Sequence, residues 1–165
     1  MLYVVLYLVA IVLANISVAI FGSQTAIITA FLFIGLDLTA RDKLHEAWHK
    51  KGLVWKMGLL IFFGSILSWA LNHGAGRIAV ASFLAFACAG IVDTFVFQKL
   101  IKHSSWIRIN GSNVPSALVD SIVFPGVAFG FPLMYGIMIG QFIAKVIGGF
   151  LWSLVLTKSK IATIK

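Results

Sequence analysis

Six apolar runs take up most of this chain, and no soluble architecture can absorb them. They cover roughly residues 2–21, 24–39, 53–71, 78–97, 114–130 and 132–156. At about 1.5 Å per helical residue, the longer runs cross roughly 30 Å of hydrocarbon. Lipid offers no partner to a bare backbone N–H or C=O, so such runs close their own hydrogen bonds as helices. The expected fold class is therefore all-α: an integral membrane bundle of six transmembrane helices forming a single domain over residues 1–165. Composition agrees, with 61% hydrophobic and 11% charged residues and a mean hydropathy of +1.03, far too apolar to solvate a globular surface. The first run has no basic flank before it and no small-residue cleavage pattern after it, so it reads as a retained span and not a signal peptide. The second and fifth runs are short, and "FPGVAFGFP" between the last two is a tight hairpin. Cys88 is the one cysteine, which excludes an intrachain disulfide.

The bias of Lys and Arg among the connections sets orientation. With six spans, one side carries Arg41, Lys43, Lys50, Lys51, Lys56, Lys99, Lys102, Arg108, Lys158, Lys160 and Lys165, and the other carries only Arg77. Both termini are therefore expected in the cytoplasm, with the protein multi-pass in the cytoplasmic (inner) membrane. The net charge of +8 is explained as topology, with the lipid bilayer and its anionic headgroups as partner. No nucleic-acid partner is expected, because no basic stretch is interleaved with aromatics on a soluble module.

"LHEAWHKK" contains H-E-x-x-H, which on a helix sets His45 and His49 one turn apart with Glu46 beside them, the pattern of a zinc metalloprotease. Catalysis there needs a third ligand and a sheltered water. Glu46 is the chain's only glutamate and would already be the general base. The remaining histidines, His73 and His103, lie on the opposite side and in the next cytoplasmic loop. The better reading is a juxtamembrane amphipathic helix with Trp48 and Trp55 at headgroup level and Arg41, His45 and His49 solvated or facing lipid. No catalytic residue, metal or cofactor is expected.

Ionisable groups inside the spans are more informative, since a charge at membrane depth is costly and usually marks a substrate or ion path. Asp37, Asp93 and Asp120 all fall in apolar runs and are expected in one layer of the cytoplasmic half. Lys145 is the one basic residue deep in a span, with Gln141 one turn away on the same face, so lysine and aspartates are placed to neutralise each other. Ala81, Ala85, Ala89 and Asp93 recur every four residues, as do Gly136, Gly140, Ala144 and Gly148, which marks faces for close helix contact and also suits a homodimer. Asn15 and Ser82 read first as interhelical hydrogen-bonders. "GIVDTFVF" (90–97) and "ALVDSIVF" (117–124) echo each other and present two aspartates from antiparallel helices, as inverted repeats do in many transporters.

"FLFIGLDLTARDKLHEAW", "RIAVASFLAFACAGIVDTFVFQKL", "NGSNVPSALVDSIVF" and "GQFIAKVIGGFLWSLV" together resemble the six-span vitamin-uptake-transporter family, also known as the queuosine-precursor transporter family. The resemblance runs from about residue 28 to 156; the first span matches weakly and the last hairpin is short for the family. It implies a transporter and not an enzyme, importing a queuosine precursor, a 7-deazaguanine base such as 7-cyano-7-deazaguanine or 7-aminomethyl-7-deazaguanine. The candidate substrate-binding residues are Asp37, Ser82, Asp93, Asn113, Asp120, Gln141 and Lys145. Chemistry supports such a deazapurine: one carboxylate can accept both N1–H and N2–H of a guanine edge, while O6 accepts from Lys, Gln or Asn. The alternative is a substrate-binding membrane subunit that depends on a separate energising module.

Overall fold

The computed structural model describes residues 2–48 and 52–162, and every regular element in them is helical. Helix α1 is Leu2–Phe21; α2 (Ala26–Thr29), a π-helical segment Ala30–Ile34 and α3 (Gly35–Trp48) run on from one another; α4 is Leu53–Leu71, α5 Gly76–Lys99, α6 Ser105–Phe129 and α7 Tyr135–Ala162. Among the described residues, five helical stretches are long and apolar enough to cross a membrane: Leu2–Phe21, Ser23–His45, Leu53–Leu71, His73–Lys99 and Tyr135–Val155. The 25-residue α6 is long enough, but Arg108, Asn110, Asn113 and Asp120 make it the most polar of the long helices.

Two expectations are revised by the way the chain turns. The second run does not stop near residue 39 but continues through Trp48. One face of its final turns is not solvated, because Arg41, Asp42, Leu44 and His45 are buried, while Ala47 stays exposed. The fifth run begins nine residues earlier than expected, since Ser104 caps α6 by accepting a hydrogen bond from the Ile107 N–H at 3.4 Å. That shift places Asp120 about 15 residues, roughly 22 Å, from the start of its helix, so it does not share a layer with Asp93. At the other end of α6, Arg77 Nε donates to the Val127 carbonyl at 3.2 Å, where a cation suits the exposed carbonyls of a helix terminus. Gly130 then takes φ 78°, a conformation costly for any residue with a Cβ, and the chain turns into α7.

Small residues decide which helices touch most closely. Ala81, Ala85, Ala89 and Asp93 are all essentially inaccessible, and α5 packs along the whole antiparallel length of α6. On α7, a Cβ at Gly148 would lie 2.4 Å from the Phe31 carbonyl oxygen, and one at Gly35 would lie 2.7 Å from the Gly148 carbonyl carbon. Backbone meets backbone there, which only glycine permits. The contact falls on the π-helical segment, whose displaced carbonyls need outside donors: Trp152 Nε1 donates to the Leu32 oxygen at 3.0 Å. Thr39 Oγ1 lies 3.1 Å from the Gly35 oxygen and 3.2 Å from the Gly149 oxygen, extending the seam. Gly136 meets nothing, so the predicted stripe on α7 is used only in part. Helix α4 packs on α1 and α5, and Phe62, Phe63, Ile66, Leu67 and Trp69 on it stay exposed, as a lipid-facing helix requires.

Candidate functional site

Two polar layers lie inside the bundle. The deeper one surrounds a cavity bounded by α1, the second span, α5, α6 and α7, whose polar lining is Asn15, Thr29, Ser82, Asp120, Gln141 and Lys145, with Phe86 and Phe124 in its apolar lining. Lys145 Nζ sits 2.6 Å from Asp120 Oδ2 and donates to Gln141 Oε1 at 3.0 Å. Lys145 and Gln141 are each 2% exposed, so the ammonium is held entirely by protein. Two of its three protons are thereby engaged and the third remains for a further acceptor. Asn15 ties the other side together: its Nδ2 donates to Ser68 Oγ at 3.1 Å, and Ser82 Oγ donates to its Oδ1. Asn15 and Ser82 thus join helices, as expected of them, and also face the cavity.

The space between these side chains amounts to about 310 Å³, part of it open to the surroundings and most of it too narrow for any atom. That is room for a water, not for a planar bicyclic ligand. A wider groove of about 690 Å³ runs along the α6–α7 boundary, lined by Trp106, Asn110, Asn113, Phe150 and, again, Lys145. Lys145 therefore lines both the cavity and the groove that reaches Trp106.

The second layer lies nearer that end and centres on Arg41. Its Nη2 sits 3.4 Å from Asp93 Oδ1 and donates to Asn113 Oδ1 and Ser116 Oγ, each at 3.2 Å. His45 Nδ1 lies 3.5 Å from the other Asp93 oxygen, and Asn113 Nδ2 donates to Asp42 Oδ2 at 2.8 Å. One guanidinium from α3 thereby bridges α5 and α6, closing the bundle beneath the cavity. Both contacts to Asp93, at 3.4 Å from Arg41 and 3.5 Å from His45, are longer than a well-formed charge-assisted hydrogen bond, so the closure is loose. Arg41 and His45 are 4% and 7% exposed. This corrects the reading that they are solvated or lipid-facing: α3 turns them inward because a buried carboxylate awaits them.

Of the seven candidate substrate-binding residues, Ser82, Asp120, Gln141 and Lys145 come together at the cavity. Asp93 and Asn113 belong to the Arg41 layer. Asp37 lies between the layers, outside the cavity lining. The residues not anticipated were Arg41, Asp42, His45 and Ser116 in the closing layer and Thr29, Phe86 and Phe124 at the cavity. One signal was available: Asp37, Arg41 and His45 recur every four residues, a polar stripe on one helix face. Within H-E-x-x-H, His45 turns to Asp93 and stands edge-on to Phe97 with centroids 6.3 Å apart. His49 lies outside the described residues, and among the described residues no group of three or more metal-binding side chains gathers.

No curated protein and no solved structure matches the chain. The family described as "Putative vitamin uptake transporter" matches residues 2–158. Together with a multi-pass apolar bundle built around a buried polar cavity, this match places the chain in the vitamin uptake transporter family.

Proposed function

We propose that the protein imports a queuosine precursor, a 7-deazaguanine base, across the cytoplasmic membrane, with α6 as the sixth span and both termini in the cytoplasm. The observation that carries this reading is the Asp120–Lys145–Gln141 constellation facing two phenylalanines. Asp120 supplies acceptors for the N1–H and N2–H donors of the base, while the remaining Lys145 proton and the Gln141 amide suit O6. Phe86 and Phe124 offer ring faces to a planar ligand. Asp120 and Lys145 cancel in charge and Asp120 is the one acid in the lining, which favours a neutral ligand and so the 7-cyano base over the cationic 7-aminomethyl base. The cavity's small volume fits an occluded stage of alternating access, with the Arg41 layer as the cytoplasmic closure and the α6–α7 groove as the release path.

Purified protein in liposomes, with no other component, should take up labelled 7-cyano-7-deazaguanine and show saturable binding competed by the unlabelled base. Binding without uptake would support instead the alternative of a subunit that needs an energising module. Absence of binding would remove the deazaguanine reading altogether.

A further inference from the structure

Asp37 is 0% exposed, and neither of its carboxylate oxygens has a hydrogen-bond partner. Asp93 also lacks a hydrogen bond, but it has Arg41 at 3.4 Å and His45 at 3.5 Å, and Asp120 has Lys145 at 2.6 Å, whereas Asp37 has no ion pair among the described residues. Asp37 has a cation within reach but not in hand: Arg41, one turn along the same face, gives its Nη2 to Asp93, Asn113 and Ser116, while its Nε has no hydrogen-bond partner. The groups whose charges act on it come from every side: Tyr7 from α1, Arg41 and Asp42 from α3, Asp120 from α6 and Lys145 from α7. On α5, Asp93 competes with Asp37 for Arg41, and His45 on α3 competes with Arg41 for Asp93. An ionised carboxylate without hydrogen bonds in so dry a place is strongly disfavoured. A metal cation would need several oxygen ligands, and no such group assembles among the described residues. A proton needs one oxygen.

We infer that Asp37 is a proton-coupling site, loaded in the closed conformation and discharged when Arg41 leaves Asp93 and pairs with Asp37 instead. Resting on the proposed uptake of a 7-deazaguanine base, the cycle moves one proton inward with each base. Water on the outer side supplies the proton to the Asp37 carboxylate. Opening of the Arg41 layer frees the guanidinium, which takes the carboxylate, and the proton leaves to cytoplasmic water beside the departing base. Residues at i and i+4 on one helix face are placed for this exchange, and the 3.4 Å spacing of Arg41 to Asp93 leaves it easily broken.

The test uses the protein in liposomes containing a trapped pH-sensitive dye. With the outside one pH unit more acidic, the wild type should accumulate 7-cyano-7-deazaguanine about tenfold over the external concentration, the limit for one proton per base, and the dye should report proton entry only when base is added. Asp37→Asn should bind the base within about threefold of wild type and exchange it across the membrane without accumulation or proton entry. As a readout independent of uptake, the infrared carbonyl band of a protonated carboxyl should be present in the wild type and lost in Asp37→Asn. Wild-type protein that binds base but ignores the pH gradient, accumulation driven by sodium in its place, or accumulation retained in Asp37→Asn would each overturn the coupling. Wild-type protein that binds no deazaguanine base would instead overturn the substrate reading and the coupling with it.

Discussion

Removing Lys145 tests whether the cavity is held by an ion pair or only by polar glue. At 2.6 Å and an effective dielectric of about 20, the Lys145–Asp120 attraction is about 6 kcal/mol. Desolvation of the two ions offsets much of that, so the intact pair adds little net stability over an apolar pair. Loss of one member is different, for it strands a buried charge at a cost of about 3–5 kcal/mol. Lys145→Met should therefore destabilise the fold by about that much, and Asp120→Leu likewise, whereas the double variant should lie within about 1–2 kcal/mol of wild type. The coupling energy from the cycle should then be about 3 kcal/mol or more, well above the average of about 0.6 kcal/mol for a neutral interhelical hydrogen bond in a membrane. Reversible unfolding in mixed micelles measures all four proteins, and base binding by the double variant is measured beside it. Additive single effects would refute the ion-pair account. A stable double variant that still binds base like the wild type would refute the assignment of this pair to the site.

Gly148→Ala should abolish folded yield in detergent, since its Cβ would lie 2.4 Å from the Phe31 oxygen, while Gly136→Ala, with nothing within 4 Å, should express as wild type. His45→Ala should lower stability by about 1–2 kcal/mol, the scale of a lost polar contact to a buried carboxylate, and added zinc or chelator should change neither its uptake nor that of the wild type. If the cavity suits a neutral ligand, the 7-cyano base should bind about tenfold more tightly than the 7-aminomethyl base at neutral pH by calorimetry; a preference for the cation would contradict the charge balance around Lys145.

Helical class and the places of five of the six apolar runs were legible in the sequence, because lipid demands long, uninterrupted apolar runs. The acids at 37, 93 and 120 and the lysine at 145 stood out for the complementary reason that each is costly where it lies. The pairings were less legible. Asp93 and Asp120 occupy equivalent places in an eight-residue echo, yet α6 starts nine residues before its apolar run, so Asp120 sits deeper than Asp93 and meets Lys145 in place of Arg41. Arg41 and His45 were hidden by their surroundings: "RDKLHEAWHKK" has the composition of a solvated helix end, and nothing local says that Asp93, 52 positions away in the chain, draws part of it inward. The π-helical segment was invisible too. It follows from the contact of Gly148 with Phe31, which joins residues 117 positions apart.

The same pairings divide the bundle into two units. The second span and α7 meet backbone to backbone at Gly35 and Gly148, and α5 and α6 pack through the Ala81–Ala85–Ala89 row; each unit is too close-fitting to shear without loss of contact. Between them stand two ion pairs, Arg41 of α3 with Asp93 of α5 and Lys145 of α7 with Asp120 of α6. One unit contributes both cations and the other both anions of these pairs, the latter from the echoed segments. On the proposed alternating access, the Arg41 end would open by a rocking of one unit against the other that breaks the looser Arg41 pair first. In a Cys88→Ser background, thiols at positions 42 and 113, where Asp42 and Asn113 now meet at 2.8 Å, span the two units. Thiols at 77 and 127 lie within the α5–α6 unit, where Arg77 reaches Val127. A short bifunctional thiol reagent across 42 and 113 should stop uptake reversibly while leaving the folded yield intact; the same reagent across 77 and 127 should leave uptake near the uncross-linked rate. Transport that continues through a complete 42–113 cross-link would mean that the units do not separate there, and the Arg41 layer would have to be read as a fixed brace.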